Sequence, residues 1–433
     1  MRGLPKGFPL DLASLTLAIG AVAVLYGGVR AFYFEGGFLE SFSYYSDERT
    51  FNEIANSLIG RDPAVTLFGI HAFGDYVLPN VWASFDDPWV ELNQVNYLPP
   101  MLLVSRLLGL LPYTLGFTVY FMALAICTIA PMVIASRGYS IAMRFLLVVT
   151  LAVMTGPALS TFDRGNSQGF LPLVLFVFAI AVMRQRWGWA ATMIAIASLI
   201  KIYPIVLVLL LVAIRRYRWA LATVAISAAG VLITLPLMAT GGLGSLGAVI
   251  GDVLQFQERT IEDFLQYNVS LAGGIANAAY LVGLTGIGSW VASNPLVLIV
   301  SYAAIVIPIL WIRGIETWIK VLVSLSLTTA LMPIVYAYAL NWVIASAAFA
   351  VWIARQSTTD TTQHRFVVSG IMVVLALGSA VLPVLIPGSM ESGRPAGIVT
   401  FAALAIYLLL PAVAYLSRWS RLTASTQRLT PAG

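Results

Sequence analysis

The sequence has few of the residues that build disulfides, metal clusters and soluble surfaces. Its 433 residues include one cysteine and two histidines, and only 10% of them are charged. A single cysteine, Cys127, excludes an internal disulfide and a cysteine-ligated metal cluster, and we interpret it as a packing residue. So few charges leave no room for a soluble domain of any size.

Apolar residues, by contrast, make up 60% of the chain and recur in runs long enough to cross a membrane. This pattern predicts an all-α polytopic membrane protein, with one transmembrane domain over residues 1–433. The first run, residues 12–33, is too long for a signal-peptide core and is interpreted as a span.

Basic clusters punctuate the apolar runs, and the positive-inside rule assigns them to the cytoplasm. Both termini are then cytoplasmic, and most acidic residues face outward. The net charge of +5 therefore reports topology and not a nucleic-acid surface. The pattern predicts about 12 spans, at residues 12–33, 112–135, 142–158, 168–183, 187–200, 203–214, 218–239, 295–312, 316–332, 335–354, 367–387 and 397–417.

Two predicted outer loops, residues 34–98 and 240–294, are too long to be simple connections, and loops of this length are usually functional or disordered. They contain aromatic residues, which favours ordered loops with short amphipathic helices. Pro99 to Leu111 and the glycine-rich stretch 272–290 are apolar enough to lie in the membrane interface.

The first outer loop carries a candidate general base, Asp47, at the start of a helical pattern that ends at Gly60. An aspartate there could cap the helix, or it could take a proton from a sugar hydroxyl. Glu48 is the nearest rival. Asp86 and Asp87, later in the loop, could hold a metal or be solvated.

No metal site is predicted, because His71 is assigned to the outside and His364 to an inner loop. Nor do we predict a cofactor.

The stretch between Arg186 and Arg215 is predicted to form a hairpin whose apex is Lys201 to Pro204, where proline breaks the helix. A lysine at this apex lies within or near the outer leaflet of the membrane, where a charge is costly and usually functional, although it could snorkel to the interface. Its ammonium would suit a polyprenyl-phosphate leaving group. Arg164, on the same side, could pair with Asp163 or bind phosphate.

Several short motifs, taken in order, resemble the C-type (GT-C) membrane glycosyltransferases. The resemblance is to glycosyltransferase family 87, the polyprenol-phosphate-mannose-dependent mannosyltransferases of bacterial lipoglycan synthesis. The matching residues are Asp47 with Phe51, Ala55 and Gly60 to Pro63, then Tyr97 to Pro100, Gly165-Asn166, Leu199 to Pro204, Asn268 to Ser270, and Leu331 to Pro333.

This resemblance implies a GT-C fold and an inverting enzyme on the outer face of the bacterial cytoplasmic membrane. It would move mannose from a polyprenyl-phosphate donor to a glycolipid such as a phosphatidylinositol mannoside. Asp47 would be the catalytic base, and Lys201 and Arg164 would hold the donor phosphate. Donor or acceptor contacts are expected from Glu48, His71, Tyr97, Asn166, Tyr203, Gln266, Asn268 and Tyr338.

Two alternatives follow from the residues. The chain has Tyr336, Ala337 and Tyr338 where a tryptophan and histidines are expected in the family, which leaves an arabinofuranosyl or other pentosyl donor possible. A lipid-linked-sugar flippase would also fit many spans and a broken hairpin. Transporters, however, place polar residues at the midplane, whereas here the ionisable groups collect at one face.

Overall fold

A computed structural model describes residues 74–92, 95–153, 155–253, 268, 270–333, 335, 337–356 and 411–412. Within these ranges the chain is helical, and no β-strand is present among them. The predicted all-α class is confirmed for this part of the chain.

Three short helices precede the bundle: α1 (Gly74–Trp82), α2 (Pro88–Leu92) and α3 (Pro99–Gly109). The first two lie in the predicted first outer loop, and α3 coincides with the stretch expected in the membrane interface. Proline stands at the first helical position of α3, where its missing N–H costs nothing.

The helices that follow are mostly apolar and are joined by short connections. They are α4 (Tyr113–Ala135), α5 (Ile141–Val148), α6 (Gly156–Arg164), α7 (Leu171–Met183), α8 (Trp187–Ile200), α9 (Val208–Ala213), α10 (Tyr217–Met238), α11 (Gly242–Val253), α12 (Leu271–Leu281), α13 (Thr285–Ser293), α14 (Pro295–Val306), α15 (Thr317–Ala330) and α16 (Trp342–Gln356).

Two of these helices, Leu115–Ala135 within α4 and all of α10, are long and apolar enough to cross a membrane. The pair Thr285–Ser293 and Pro295–Trp311 gives a third candidate, although the two helices meet at 82°. Six further apolar helices have 10 to 17 residues. The described residues thus form a polytopic membrane protein, and the number of 12 spans stays a prediction.

Several predicted spans coincide with observed helices. The prediction for residues 187–200 matches α8. The prediction 112–135 differs from α4 by one residue at its start, and 218–239 differs from α10 by one residue at each end. The predicted span 142–158 does not continue to its end. It changes to a π-helix over Val149–Val153, and α6 then starts afresh because Thr155 caps its N-terminus.

The centre of the bundle is built from α7, α8, α15 and α16, and α7 packs against α4, α8, α15 and α16. Every residue from Trp342 to Ala354 of α16 is buried. Alanine and serine are frequent along α16, and small residues let helix backbones approach closely in a membrane. By contrast, α10 exposes apolar side chains such as Leu221 and Ile233, as a lipid-facing helix does.

The two predicted outer loops are joined by hydrogen bonds. The Thr240 N–H donates to the Asp86 carbonyl at 3.0 Å, and the Ser245 hydroxyl donates to Asp87 Oδ2 at 2.5 Å. The Val95 N–H donates to Asp252 Oδ2 at 2.9 Å. This side of the bundle is therefore held as one unit.

The guanidinium of Arg106, on α3, reinforces that unit. It donates to the carbonyls of Ala83 and Phe85 at 2.8 Å and to the carbonyl of Leu237 at 3.0 Å. One side chain thereby joins the segment after α1 to the C-terminal end of α10.

Candidate active site

A cluster of polar side chains forms where α1 begins and where α6 and α8 end. Local sequence explains the placement of its residues. Gly165 ends α6 in a left-handed conformation with φ of 64°, which glycine adopts without strain. Asn166 follows, and its side-chain oxygen caps the next turn by accepting from the Gln168 N–H at 2.9 Å. The backbone at the end of α6 is thus fixed, and with it the positions from which the Arg164 and Asn166 side chains extend.

Asp75, in the first turn of α1, is the partner of both these residues. Its Oδ2 accepts from Arg164 Nε at 2.8 Å and from Asn166 Nδ2 at 2.9 Å. The side chains of Arg164 and Asp75 are only 18% and 16% exposed, so solvent screens their interaction less than it would a surface ion pair.

Burial by itself would raise the pKa of Asp75. The Arg164 guanidinium, the Asn166 amide and the Lys201 ammonium together outweigh burial and lower the pKa below its ordinary value. Asp75 is therefore a carboxylate at neutral pH.

Lys201 lies in the break after α8, outside both neighbouring helices. The α-helix ends at Ile200, Lys201 adopts an extended conformation, and a 3-10 turn begins at Tyr203 with Pro204 as its second residue. The predicted break at Lys201 to Pro204 is confirmed.

The ammonium of Lys201 lies 3.7 Å from the centroid of the Tyr97 ring, within the range of a cation–π interaction. Burial lowers the pKa of Lys201 to about 8, against an opposing effect of the Asp75 carboxylate.

The Tyr97 ring that contacts this ammonium is held in place by its neighbours. The residue is 3% exposed, and its ring lies 5.9 Å from that of Trp82. Its carbonyl accepts from Trp89 Nε1 at 3.2 Å. Burial raises the pKa of Tyr97 above its ordinary value, so the side chain stays a neutral phenol next to the cations.

Two more hydrogen bonds fix the 165–168 segment behind the cluster. The Tyr203 hydroxyl donates to Gln168 Oε1 at 2.6 Å, and the Tyr120 hydroxyl donates to the Gly165 carbonyl at 2.8 Å. The structure therefore brings together Arg164, Asn166, Lys201, Tyr97 and Tyr203, all of them residues that the sequence analysis selected.

Asn268 lies elsewhere and joins two parts of the backbone. Its Nδ2 donates to the Pro333 carbonyl at 2.7 Å, and its Oδ1 accepts from the N–H groups of Ser270 and Val335 at 3.0 Å. The residue is 3% exposed. Both ends of its amide are thus used to hold the second outer loop against the turn after α15.

Tyr338 belongs to a 3-10 turn, Ala337–Asn341, that packs against α6. Asn341 Nδ2 donates to Thr161 Oγ1 of that helix at 2.5 Å. The turn that contains Tyr338 is thereby joined to the helix that carries Arg164.

Asp86 and Asp87 have separate environments. Asp87 is buried and accepts from the Ser245 hydroxyl, whereas Asp86 is exposed. Among the described residues, no group of three or more histidine, cysteine or acidic side chains could hold a metal ion.

The other predicted site residues, Asp47, Glu48, His71 and Gln266, lie outside the described residues.

Sequence reasoning missed Asp75. It singled out four other acidic residues of the first outer loop: Asp47, Glu48, Asp86 and Asp87. The available signal was the composition around Asp75, a lone carboxylate in the aromatic and apolar run from Phe73 to Leu78. Such a charge needs a partner when it is buried, and Arg164 supplies it.

The family model of glycosyltransferase family 87 matches residues 96–334, which is more than half of the chain. No curated protein and no solved structure matches this sequence. The matched region contains Tyr97, Arg164, Asn166 and Lys201 of the cluster, and the resemblance seen in the motifs is confirmed. The chain therefore belongs to glycosyltransferase family 87, a GT-C-type family.

Proposed function

We propose that this glycosyltransferase takes its sugar, mannose, from a polyprenyl-phosphate donor. The acceptor is a hydroxyl of a glycolipid or cell-envelope glycan, such as a phosphatidylinositol mannoside. The reaction takes place on the outer face of the bacterial cytoplasmic membrane and inverts the configuration at C1.

The observation that carries this proposal is the pair of cations, Arg164 and Lys201, which both act electrostatically on Asp75. A polyprenyl-phosphate sugar is a phosphodiester with one negative charge, and its phosphate gains a second as the sugar leaves. Fixed positive charges stabilise such a developing charge most when solvent is largely excluded. The break after α8 places Lys201 at the end of an apolar helix, where a lipid-borne phosphate could reach it.

Asp47 is proposed as the general base. It removes the acceptor hydroxyl proton as that oxygen forms a bond to C1 of the sugar. The bond between C1 and the phosphate oxygen breaks, and the electron pair leaves with the phosphate toward Lys201 and Arg164. Two side-chain cations suffice for a monophosphate, so no metal or cofactor takes part in the proposed reaction.

The remaining selected residues would contact the donor or the acceptor. Tyr97 contacts Lys201, Asn166 shares the Asp75 carboxylate with Arg164, and Tyr203 donates to Gln168. Tyr338 belongs to the turn joined to α6. Glu48, His71, Gln266 and Asn268 are proposed for the outer side, where the acceptor enters. For Asn268 the contact would be indirect, because its amide holds the backbone on which neighbouring residues stand.

A pentosyl donor such as polyprenyl-phosphate arabinofuranose is the second candidate. It is favoured by Tyr336, Ala337 and Tyr338, which replace the tryptophan and histidines expected in the family. Membership of a glycosyltransferase family favours sugar transfer over lipid-linked-sugar transport.

Reconstituted protein tests the proposed reaction. The protein in liposomes is given polyprenyl-phosphate mannose and a phosphatidylinositol mannoside, and the glycolipid product is quantified. Asp47→Asn is expected to lower kcat by about 10²–10⁴, the usual contribution of a general base. The matched control, Asp86→Asn, changes an exposed carboxylate of the same loop and is expected to retain activity. Full activity of Asp47→Asn would exclude Asp47 as the base.

The phosphate site is tested with Lys201→Met in the same assay. A hydrogen bond to a charged group contributes about 1.5–3 kcal/mol, so kcat/KM for the donor is expected to fall about ten- to a hundredfold. Unchanged donor affinity and turnover would remove Lys201 from the phosphate site. Parallel reactions with polyprenyl-phosphate arabinofuranose decide between the two donor sugars.

A further inference from the structure

Asp75 is the carboxylate at the centre of the cluster, and its chemistry is not that of a base. One oxygen, Oδ2, accepts hydrogen bonds from both Arg164 Nε and Asn166 Nδ2. A carboxylate that accepts two such bonds beside two cations holds its negative charge and gives it up only at low pH. Asp75 is thus suited to orienting other groups and unsuited to taking a proton from substrate.

The position of Asp75 is fixed by the aromatic residue that follows it. Tyr76 is 3% exposed, and its ring lies 5.5 Å from that of Phe117 and 4.8 Å from that of Tyr120. Both partners belong to α4, one of the two long spans. The start of α1 is therefore anchored on the bundle, and the carboxylate is held there with little freedom.

The charges of the cluster need such an anion. Arg164 and Lys201 each carry one positive charge, and Asp75 acts electrostatically on both. Without Asp75, Lys201 would lose an opposite charge that favours its protonated form, and Arg164 would lose the carboxylate of its ion pair. With Asp75, two positive charges and one negative charge leave a single net positive charge.

We propose that Asp75 is a positioning residue of the transfer site: it orients Arg164 and Asn166 and supplies the negative charge that balances the positive charges of Arg164 and Lys201, so that both cations can bind one phosphate. The phosphate part of this inference rests on the proposed function. The charge balance among Asp75, Arg164 and Lys201 does not depend on it.

Two titratable groups act on the Lys201 ammonium in the described part of the chain, and a third is paired with one of them. Tyr97 faces the ammonium from the segment before α3, Asp75 acts on it from α1, and Arg164, at the end of α6, is paired with Asp75. Tyr97 is neutral and Arg164 is always charged. Asp75 is therefore the group whose replacement changes the proton affinity of Lys201.

The test measures Lys201 directly in full-length protein in lipid nanodiscs. The pH at which its amine reacts half-maximally with an acylating reagent is determined by mass spectrometry. Lys320 is an internal reference, because Asp75 has no influence on it. In Asp75→Asn the midpoint of Lys201 is expected to move to lower pH while that of Lys320 stays in place. An unmoved Lys201 midpoint would overturn the inference.

Two further variants separate charge from shape. Asp75→Glu keeps the charge and is expected to keep the Lys201 midpoint near its wild-type value, and a midpoint as low as that of Asp75→Asn would contradict the proposal. Asp75→Ser retains an acceptor for Asn166 without the charge. It replaces Asp75→Asn if that variant does not fold, with the same expected midpoint shift. Asp86→Asn is the matched control and should change nothing.

Donor kinetics complete the test. In Asp75→Asn, kcat/KM for polyprenyl-phosphate mannose is expected to fall about ten- to a hundredfold, since small displacements of positioning groups have effects of this size. Partial recovery is expected in Asp75→Glu. If the wild-type protein does not use the polyprenyl-phosphate sugar at all, the proposed function fails, while the Lys201 midpoint still decides the role of Asp75.

Discussion

The pKa of Lys201 shows how strongly the protonation of one side chain depends on its surroundings. Lys201 follows an apolar helix, faces the Tyr97 ring and, among the described residues, interacts with the Asp75 carboxylate. Burial disfavours its charged form, and the pKa falls to about 8. The charge of Lys201 therefore changes as the pH passes through about 8.

This pKa predicts a pH dependence of donor use. The ammonium is present below the pKa and is lost above it, so kcat/KM for the donor should fall as pH rises through about 8. Lys201→Arg should remove this decline, because arginine stays protonated throughout. The measurement is a pH profile of both proteins from pH 6 to about 9.5, a range that spans the shifted lysine pKa. The same decline in Lys201→Arg would assign it to another group.

Residue patterns identified much of this cluster in advance, but not all of it. Lys201 was selected because a charge near the membrane is costly and usually functional, and Arg164 was selected as a second cation on the same side. Asp75 was not selected, because the apolar run around it indicates burial of the carboxylate but does not identify its partner. Its role depends on contact with Arg164 and Asn166, which lie 89 and 91 residues away in the sequence.

At the scale of the element, the junction between α6 and α7 determines how the cluster is held. Gly169 lies in the 3-10 turn of this junction, where an added Cβ would come within 2.6 Å of Leu124 and 2.7 Å of Thr161. Only glycine lets the turn approach α4 and α6 this closely.

Gly169→Ala is therefore expected to destabilise the protein by about 1–3 kcal/mol, the usual effect of overpacking. Gly247→Ala is the matched control, because a Cβ there meets nothing within 4 Å. Thermal unfolding in detergent should show a lower midpoint for Gly169→Ala than for wild type or Gly247→Ala. Equal midpoints for the two alanine variants would contradict the close packing of this turn.

Helix limits followed from the sequence where local signals were strong. Arg186 and Lys201 border an apolar run, and Pro204 follows, so α8 was predicted at its observed limits. The interruption between α5 and α6 was not predicted, because residues 145–154 are apolar apart from Thr150 and the predicted span was continued through Thr155, Gly156 and Pro157. The π-helix and the Thr155 cap depend on packing that periodicity does not contain.

At the scale of the whole molecule, the segregation of charge predicts which side of the bundle faces outward. The prediction assigns Asp86 to the acidic outer side, where the two predicted outer loops are joined by a hydrogen bond. It assigns Arg186, between α7 and α8, to the basic cytoplasmic side. Topology is therefore open to direct measurement at these two positions.

Cysteine labelling tests this orientation. In a Cys127→Ser background, Asp86→Cys should react with a membrane-impermeant maleimide in intact cells. Arg186→Cys should react only after permeabilisation, because the positive-inside rule places it in the cytoplasm. The unmodified background controls for other reactions. The reverse labelling pattern would invert the predicted topology and remove the cluster from the outer face.

The sequence by itself determined that this is a helical membrane protein, and it determined much of the helix order. Apolar length and basic clusters are local properties of the chain. The sequence also indicated Lys201 and Arg164 as costly charges on one side. Only the tertiary structure decided that Asp75 joins them, that Tyr97 faces the ammonium and that Asn268 holds two backbone segments together. Each of these contacts links distant segments, and their partners are chosen by burial and geometry that no local pattern records.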